Sequence, residues 1–185
     1  MMVVTSYEEL RPSLRPGMVV FYSTDTTGWK WASNFIQWRI QRGQTPPSEC
    51  NHVGLIDIVR GRVVTIEATP PRVRVAPLSA GLDVRRDGRY SNPFDGRIWI
   101  GDFAGADGDL ATVRAWDNLL LPYDYLDLAS IRLGITHRND RKYICSELVA
   151  DAIEGSGGTL TPPGKGSIHS PGDLFRAARI LWRIR

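Results

Sequence analysis

Residues 51–68 read Asn51-His52-Val53-Gly54-Leu55-Ile56-Asp57-Ile58-Val59-Arg60-Gly61-Arg62-Val63-Val64-Thr65-Ile66-Glu67-Ala68. Two β-rich runs, 52–59 and 62–68, flank Arg60-Gly61, the length of a two-residue hairpin turn with glycine at its second position. Pairing Val59 with Arg62 fixes the register of the whole ladder, so that Gly54 falls opposite Glu67 and His52 opposite Thr69. His52 and Glu67 then project from one face as diagonal neighbours, ~7–8 Å apart at the backbone, a gap that two long side chains bridge. A three-residue turn would send Glu67 to the other face, so turn length decides whether an imidazole meets a carboxylate.

Outward from the hairpin, Tyr143-Ile144-Cys145-Ser146-Glu147-Leu148-Val149 turns a short hydrophobic approach into an amphipathic helix. Leu148, Val149, Ala152 and Ile153 recur at helical spacing, Gly155, Gly157 and Gly158 end the run, and Cys145 lies on the buried stripe in the first turn. Unpaired backbone N–H groups and the macrodipole at a helix start favour a thiolate, and a neighbouring imidazole favours it further through an ion pair. Attack of that thiolate on a carbonyl produces an oxyanion, for which the Cys145 N–H is a natural first donor. His52 would serve as base and then as acid to the leaving group, with Glu67 holding its tautomer. Each residue also has a bland reading: a buried core thiol, a capping histidine and a surface carboxylate. Cys50 is a rival nucleophile near His52, without a helix start.

Elsewhere, Pro16-Gly17 signals a turn before a strand over 18–22, and 29–42 predicts a helix with Trp31, Phe35 and Trp38 on one row. Strands are expected over 72–76 and 96–101, with a polar surface loop or lid between, over 81–95. Asp109 is read as the cap of a helix running to about Leu121, a second helix follows Asp124, and Pro162-Pro163-Gly164-Lys165-Gly166 is a loop bordering the site. Ser170-Pro171-Gly172-Asp173 opens the last helix, with serine at the N-cap, proline first and aspartate third.

The 185 residues are 42% hydrophobic, which fits one globular domain over 1–185 with a sizeable core. The net charge is +3, and the 20 arginines and 3 lysines are scattered among 20 acidic residues, so nucleic acid is not expected as a partner. The densest basic spots, Arg85-Arg86 and the final turns with Arg176, Arg179, Arg183 and Arg185, are read as solvated surface, and His137 and His169 as surface or capping residues. Two cysteines, Cys50 and Cys145, do not make a disulfide framework and suit a reducing compartment. Cys50-x-His52 lacks the paired short spacings of a zinc site, so neither a metal nor another cofactor is expected. No stretch is long enough to span a bilayer, and Glu8-Glu9 lies where a signal peptide would have its apolar core. The expectation is a cytoplasmic protein, or one delivered by a phage or secretion machine.

Taken together, Asn51-His52-Val53-Gly54, Ile66-Glu67-Ala68, Tyr143-Ile144-Cys145-Ser146-Glu147-Leu148-Val149 and Ser170-Pro171-Gly172-Asp173-Leu174 resemble the circularly permuted papain-like branch of the NlpC/P60 superfamily, nearest to the YiiX/YebB-like hydrolases. The resemblance covers about 14–174. It implies an α+β, circularly permuted papain-like fold with the nucleophile helix packed on an antiparallel sheet. It further implies Cys145 as nucleophile, His52 as base and Glu67 as third polar residue. Tyr123, in the Tyr123-Asp124 pair that recurs in such proteins, is a candidate substrate contact, with Tyr22 and Tyr143 beside it. The implied activity is thiol-dependent hydrolysis of an amide bond in a cell-wall peptide or N-acyl substrate, through a thioester. The alternatives are a lipid esterase or acyltransferase on the same triad, or a binding module that retains the fold.

Overall fold

Arg60 and Gly61 both take positive φ, 50° and 75°, the backbone that a two-residue type I′ turn requires. Val59 pairs with Arg62, and the ladder runs without a break to Leu55 and Ile66. The register read from the sequence is therefore observed, and it places Glu67 across from Gly54, whose added Cβ would lie 3.4 Å from the Glu67 Cβ.

The computed structural model describes residues 2–4, 7–23, 50–81, 97–124, 142–160 and 169–184, and element labels here number what those residues form. The strands are β1 (Met2–Val4), β2 (Val19–Ser23), β3 (His52–Val59), β4 (Arg62–Thr69), β5 (Arg72–Pro77), β6 (Arg97–Asp102) and β7 (Arg179–Ile184). The helices are α1 (Tyr7–Leu10), α2 (Leu78–Gly81), α3 (Gly108–Asp117), α4 (Cys145–Gly155) and α5 (Pro171–Ala177). One sheet gathers the strands in the order β1-β7-β6-β2-β3-β4-β5, antiparallel except where β1 joins β7. This is an α+β fold. Among the described residues no helix is long and apolar enough to cross a membrane.

Strand alternation divides the core between the two faces. On one face Val19, Phe21, Val53, Leu55, Ile66 and Ala68 pack with Leu148, Val149 and Ile153 of α4 and Ala111 and Ala115 of α3. On the other, Val20, Ile56 and Ile100 pack with Leu10, Leu14 and Leu78. Gly17 closes the second layer: its φ is +81°, its N–H donates to the Ile56 carbonyl at 3.0 Å, and an added Cβ would lie 2.2 Å from the Gly108 Cα. Gly17→Ala is expected to cost about 2–4 kcal/mol, from left-handed strain plus forced backbone separation. A urea titration checks this as a lower midpoint at unchanged slope.

Local expectations differ from the structure in four places. Helix α3 is capped by Asp107, whose extended backbone puts its carboxylate 3.1 Å from the Leu110 N–H, whereas Asp109 is already inside the first turn. The helix stops at Asp117 rather than near Leu121, because Leu120 adopts φ 69° and residues 120–121 instead bond to Val73 along the edge of β5. Of the final basic residues, Arg176 and Arg179 are exposed, as read, but the strand they lead into was not expected: Arg179 and Arg183 belong to β7, which pairs with β6 and β1. Arg179 grips Asp102 with two nitrogens, and the Arg183 Nε is buried. His169, expected as a surface or capping residue, is buried, with its Nε2 3.7 Å from Glu154. The predicted helix over 29–42, the helix after Asp124, the 162–166 loop, Arg85-Arg86, Arg185, His137 and all but the start of the 81–95 loop lie outside the described residues.

Candidate active site

Ile144 keeps an extended backbone, φ −91° and ψ 165°, and the helix begins at the next residue, Cys145. Glu147 secures this start by accepting the Ile144 N–H at 3.2 Å, the backward half of a capping box. The stripe of Leu148, Val149, Ala152 and Ile153 is buried and seats α4 on the sheet, each of the larger side chains contributing about 1.5–3 kcal/mol by leaving water. The thiol is thereby fixed in the first turn, where the backbone N–H groups lack intrahelical acceptors.

Glu67 sits between Ile66 and Ala68, which belong to the same core layer as Cys145, so strand alternation turns its side chain to the opposite face. Tyr22, paired with His52 across β2 and β3, lies on that opposite face with Ile56. Thiol and carboxylate thus approach from different sides of the sheet, and His52, the first residue of β3, stands at the strand end where both can reach it. His52 Nε2 is 2.8 Å from Glu67 Oε2, and the Cys145 thiol is near enough to the ring to bear on its charge. With Nε2 held by Glu67, Nδ1 is the nitrogen left for the thiol.

The electrostatics follow from these contacts. Burial works against a charged His52, but the Cys145 thiol and the Glu67 carboxylate together outweigh it and push the imidazole up to about 10. Burial also opposes the ionised Glu67, yet His52 and Arg74 hold its carboxyl below the ordinary value. The site therefore favours a protonated His52 beside an ionised Glu67.

The other candidate residues are distributed around this centre. Tyr22 stacks near His52, with ring centroids 5.5 Å apart and planes at 31°, and burial pushes its phenol up, which keeps it neutral. Tyr123 is buried in the core layer of Cys145 and bridges to Tyr143. The Tyr143 hydroxyl is 3.0 Å from Asp151, at the rim of a polar pocket of about 460 Å³ that also involves Arg114, Asp117 and Glu154. Tyr143 is thus directed along α4, away from the helix start. Cys50 is a buried thiol outside any disulfide, and it donates to the His52 carbonyl at 3.4 Å. Burial, and then the nearby Cys145, push the Cys50 thiol up, which makes it a poor nucleophile. Arg74 was not read from the sequence as a site residue: it lies opposite Glu67 in the β4–β5 ladder, and its Nε and Nη2 are 3.1 and 3.0 Å from Oε1. Its only sequence signal was its place in the strand after Pro70-Pro71, where the turn length sets the register.

No family model matches this chain, and no curated protein matches it. Among solved structures it is similar to the crystal structure of the metalloprotein YiiX from Escherichia coli O157:H7. The TM-score is 0.60 at 15% sequence identity, over 90% of this chain and 96% of that one. The likeness shows a YiiX-like fold.

Proposed function

We propose that this chain is a cysteine-dependent hydrolase of amide bonds, with Cys145 as nucleophile, His52 as acid and base, and Glu67 as the residue that orients His52, on a circularly permuted papain-like fold. The observation that carries the reading is the convergence on one imidazole of a carboxylate at 2.8 Å and a thiol from the first turn of α4. The Cys145 thiolate attacks the amide carbonyl carbon, a C–S bond forms, and the oxygen takes the negative charge beside the helix-start N–H groups. Collapse breaks the C–N bond as the His52 imidazolium gives its proton to the departing amine, leaving a thioester and a neutral imidazole. Water then loses a proton to His52 and adds to the thioester carbonyl. Cleavage of the C–S bond releases the acid, the thiolate returns, and the net change is amide plus water to acid plus amine.

The solved neighbour is described as a metalloprotein, but the donor set here does not suit a resident metal. Among the described residues no three His, Cys, Asp or Glu side chains are arranged to hold one, and the Glu67 oxygens are engaged by His52 and Arg74. One observation favours a non-catalytic binding module instead: Cys145 is only 6% exposed. Turnover separates the readings. A peptide with a γ-glutamyl or D-amino-acid amide and a fatty-acyl ester, each incubated with the protein and hydroxylamine, are expected to give hydroxamate from the amide. Turnover of the ester alone contradicts the amide assignment, and turnover of neither supports the module.

A further inference from the structure

Arg74 reaches across from β5 and converges on the one Glu67 oxygen that His52 leaves, Nε and Nη2 both on Oε1, while His52 Nε2 holds Oε2 at 2.8 Å. We infer that Arg74 is a positioning residue that locks the Glu67 carboxylate in the orientation presenting Oε2 to His52, so that the triad is extended to a relay of Arg74, Glu67, His52 and Cys145. The inference rests on the reading of Cys145 as nucleophile, and deepens it by adding a member on a neighbouring strand.

A glutamate side chain has three torsions to fix, and a carboxylate held at one oxygen alone can rotate away from its partner. Two N–H groups of a planar guanidinium meeting the other oxygen remove that freedom. Three groups face the carboxylate from the packed strands: Tyr22 on β2, His52 on β3 and Arg74 on β5. Tyr22 is neutral, so Arg74 is the fixed cation of the set, and Glu67 remains an anion in a largely buried position because both basic partners oppose the burial. The Arg74 side chain is 57% exposed, so solvent screens its charge. Geometry rather than bulk attraction is its contribution.

Exposure also makes Arg74 replaceable without opening the core. The test follows the His52 imidazole by NMR through a pH titration in the wild type, Arg74→Met, Arg74→Lys and Glu67→Gln, with kcat and KM measured on the same proteins. Glu67→Gln, which lacks the titrating carboxyl, identifies the acid inflection that reports Glu67. In Arg74→Met that inflection is expected at higher pH, with kcat lower by about tenfold and KM unchanged. The loss is smaller than the roughly 10²–10⁴-fold of a group that itself transfers the proton, because Arg74 acts at one remove. Arg74→Lys, with the charge but without the fork, is expected to recover the inflection more than kcat. An inflection at the wild-type pH in Arg74→Met overturns the inference. A displaced inflection in proteins that turn over no substrate leaves the Arg74 contact standing and sinks the catalytic reading instead.

Discussion

Cys145→Ala is expected to abolish hydrolysis of an amide substrate, a fall on the order of 10⁴-fold or more, because no thioester can form and the remaining donors only bind and polarise the carbonyl. The fold is expected to survive. Cys145 is buried on the stripe that seats α4, and alanine keeps the helix start while removing one small sulfur, a cost of about 1 kcal/mol. Cys50→Ala is the matched control: that thiol is buried, donates to the His52 carbonyl and is pushed toward the neutral form by burial. It should retain wild-type turnover. Activity lost in Cys50→Ala and kept in Cys145→Ala would exchange the two roles, and single-turnover assays with a mass-spectrometric search for the acyl adduct read the difference directly.

His52→Ala is expected to lower kcat by about 10²–10⁴-fold, the contribution of a positioned acid and base. It should also change how stability depends on pH, and the sign follows from the two shifts. His52 is raised from 6.5 to about 10, so its contribution is full below the unfolded value of 6.5 and is lost as pH rises through about 10. Glu67 is lowered from 4.5, so its contribution is present above that unfolded value and is lost as pH falls through its folded one. The wild type should therefore exceed His52→Ala in melting temperature most between about 4.5 and 6.5, with the margin shrinking toward pH 10 and toward strong acid. Melting curves across this range check it. A margin independent of pH would mean that His52 carries no charge-linked interaction in the folded protein.

Much of this site was legible because its geometry is encoded locally. Arg60-Gly61 is short enough to have one turn geometry, and the turn alone fixed which face Glu67 shares with His52. The starts of α4 and α5 were legible for the same reason: Glu147 and Asp173 each reach back to the cap residue within one turn. What escaped depends on contacts distant in sequence. Strand β7, Arg179-Ile180-Leu181-Trp182-Arg183-Ile184, has no period-two alternation to announce it and acquires its meaning only beside β6, and its register is broken by a bulge near Gly101, where an added Cβ would lie 2.7 Å from the Arg179 carbonyl. Asp107 and Asp109 are equivalent as caps in sequence, and only the backbone at 107 selects between them. Arg74 needed the β4–β5 register, set by a Pro-Pro turn whose pairing no periodicity reveals.

The measurement that bears most directly on an activated Cys145 is iodoacetamide labelling against pH, mapped by mass spectrometry on Cys145 and Cys50 in the wild type and in His52→Ala. Cys145 should be labelled ahead of Cys50, whose thiol burial pushes up, and should lose that reactivity in His52→Ala. A Cys145 that is inert, or that labels like an ordinary thiol in both proteins, would contradict the nucleophile assignment and leave a binding module with this fold.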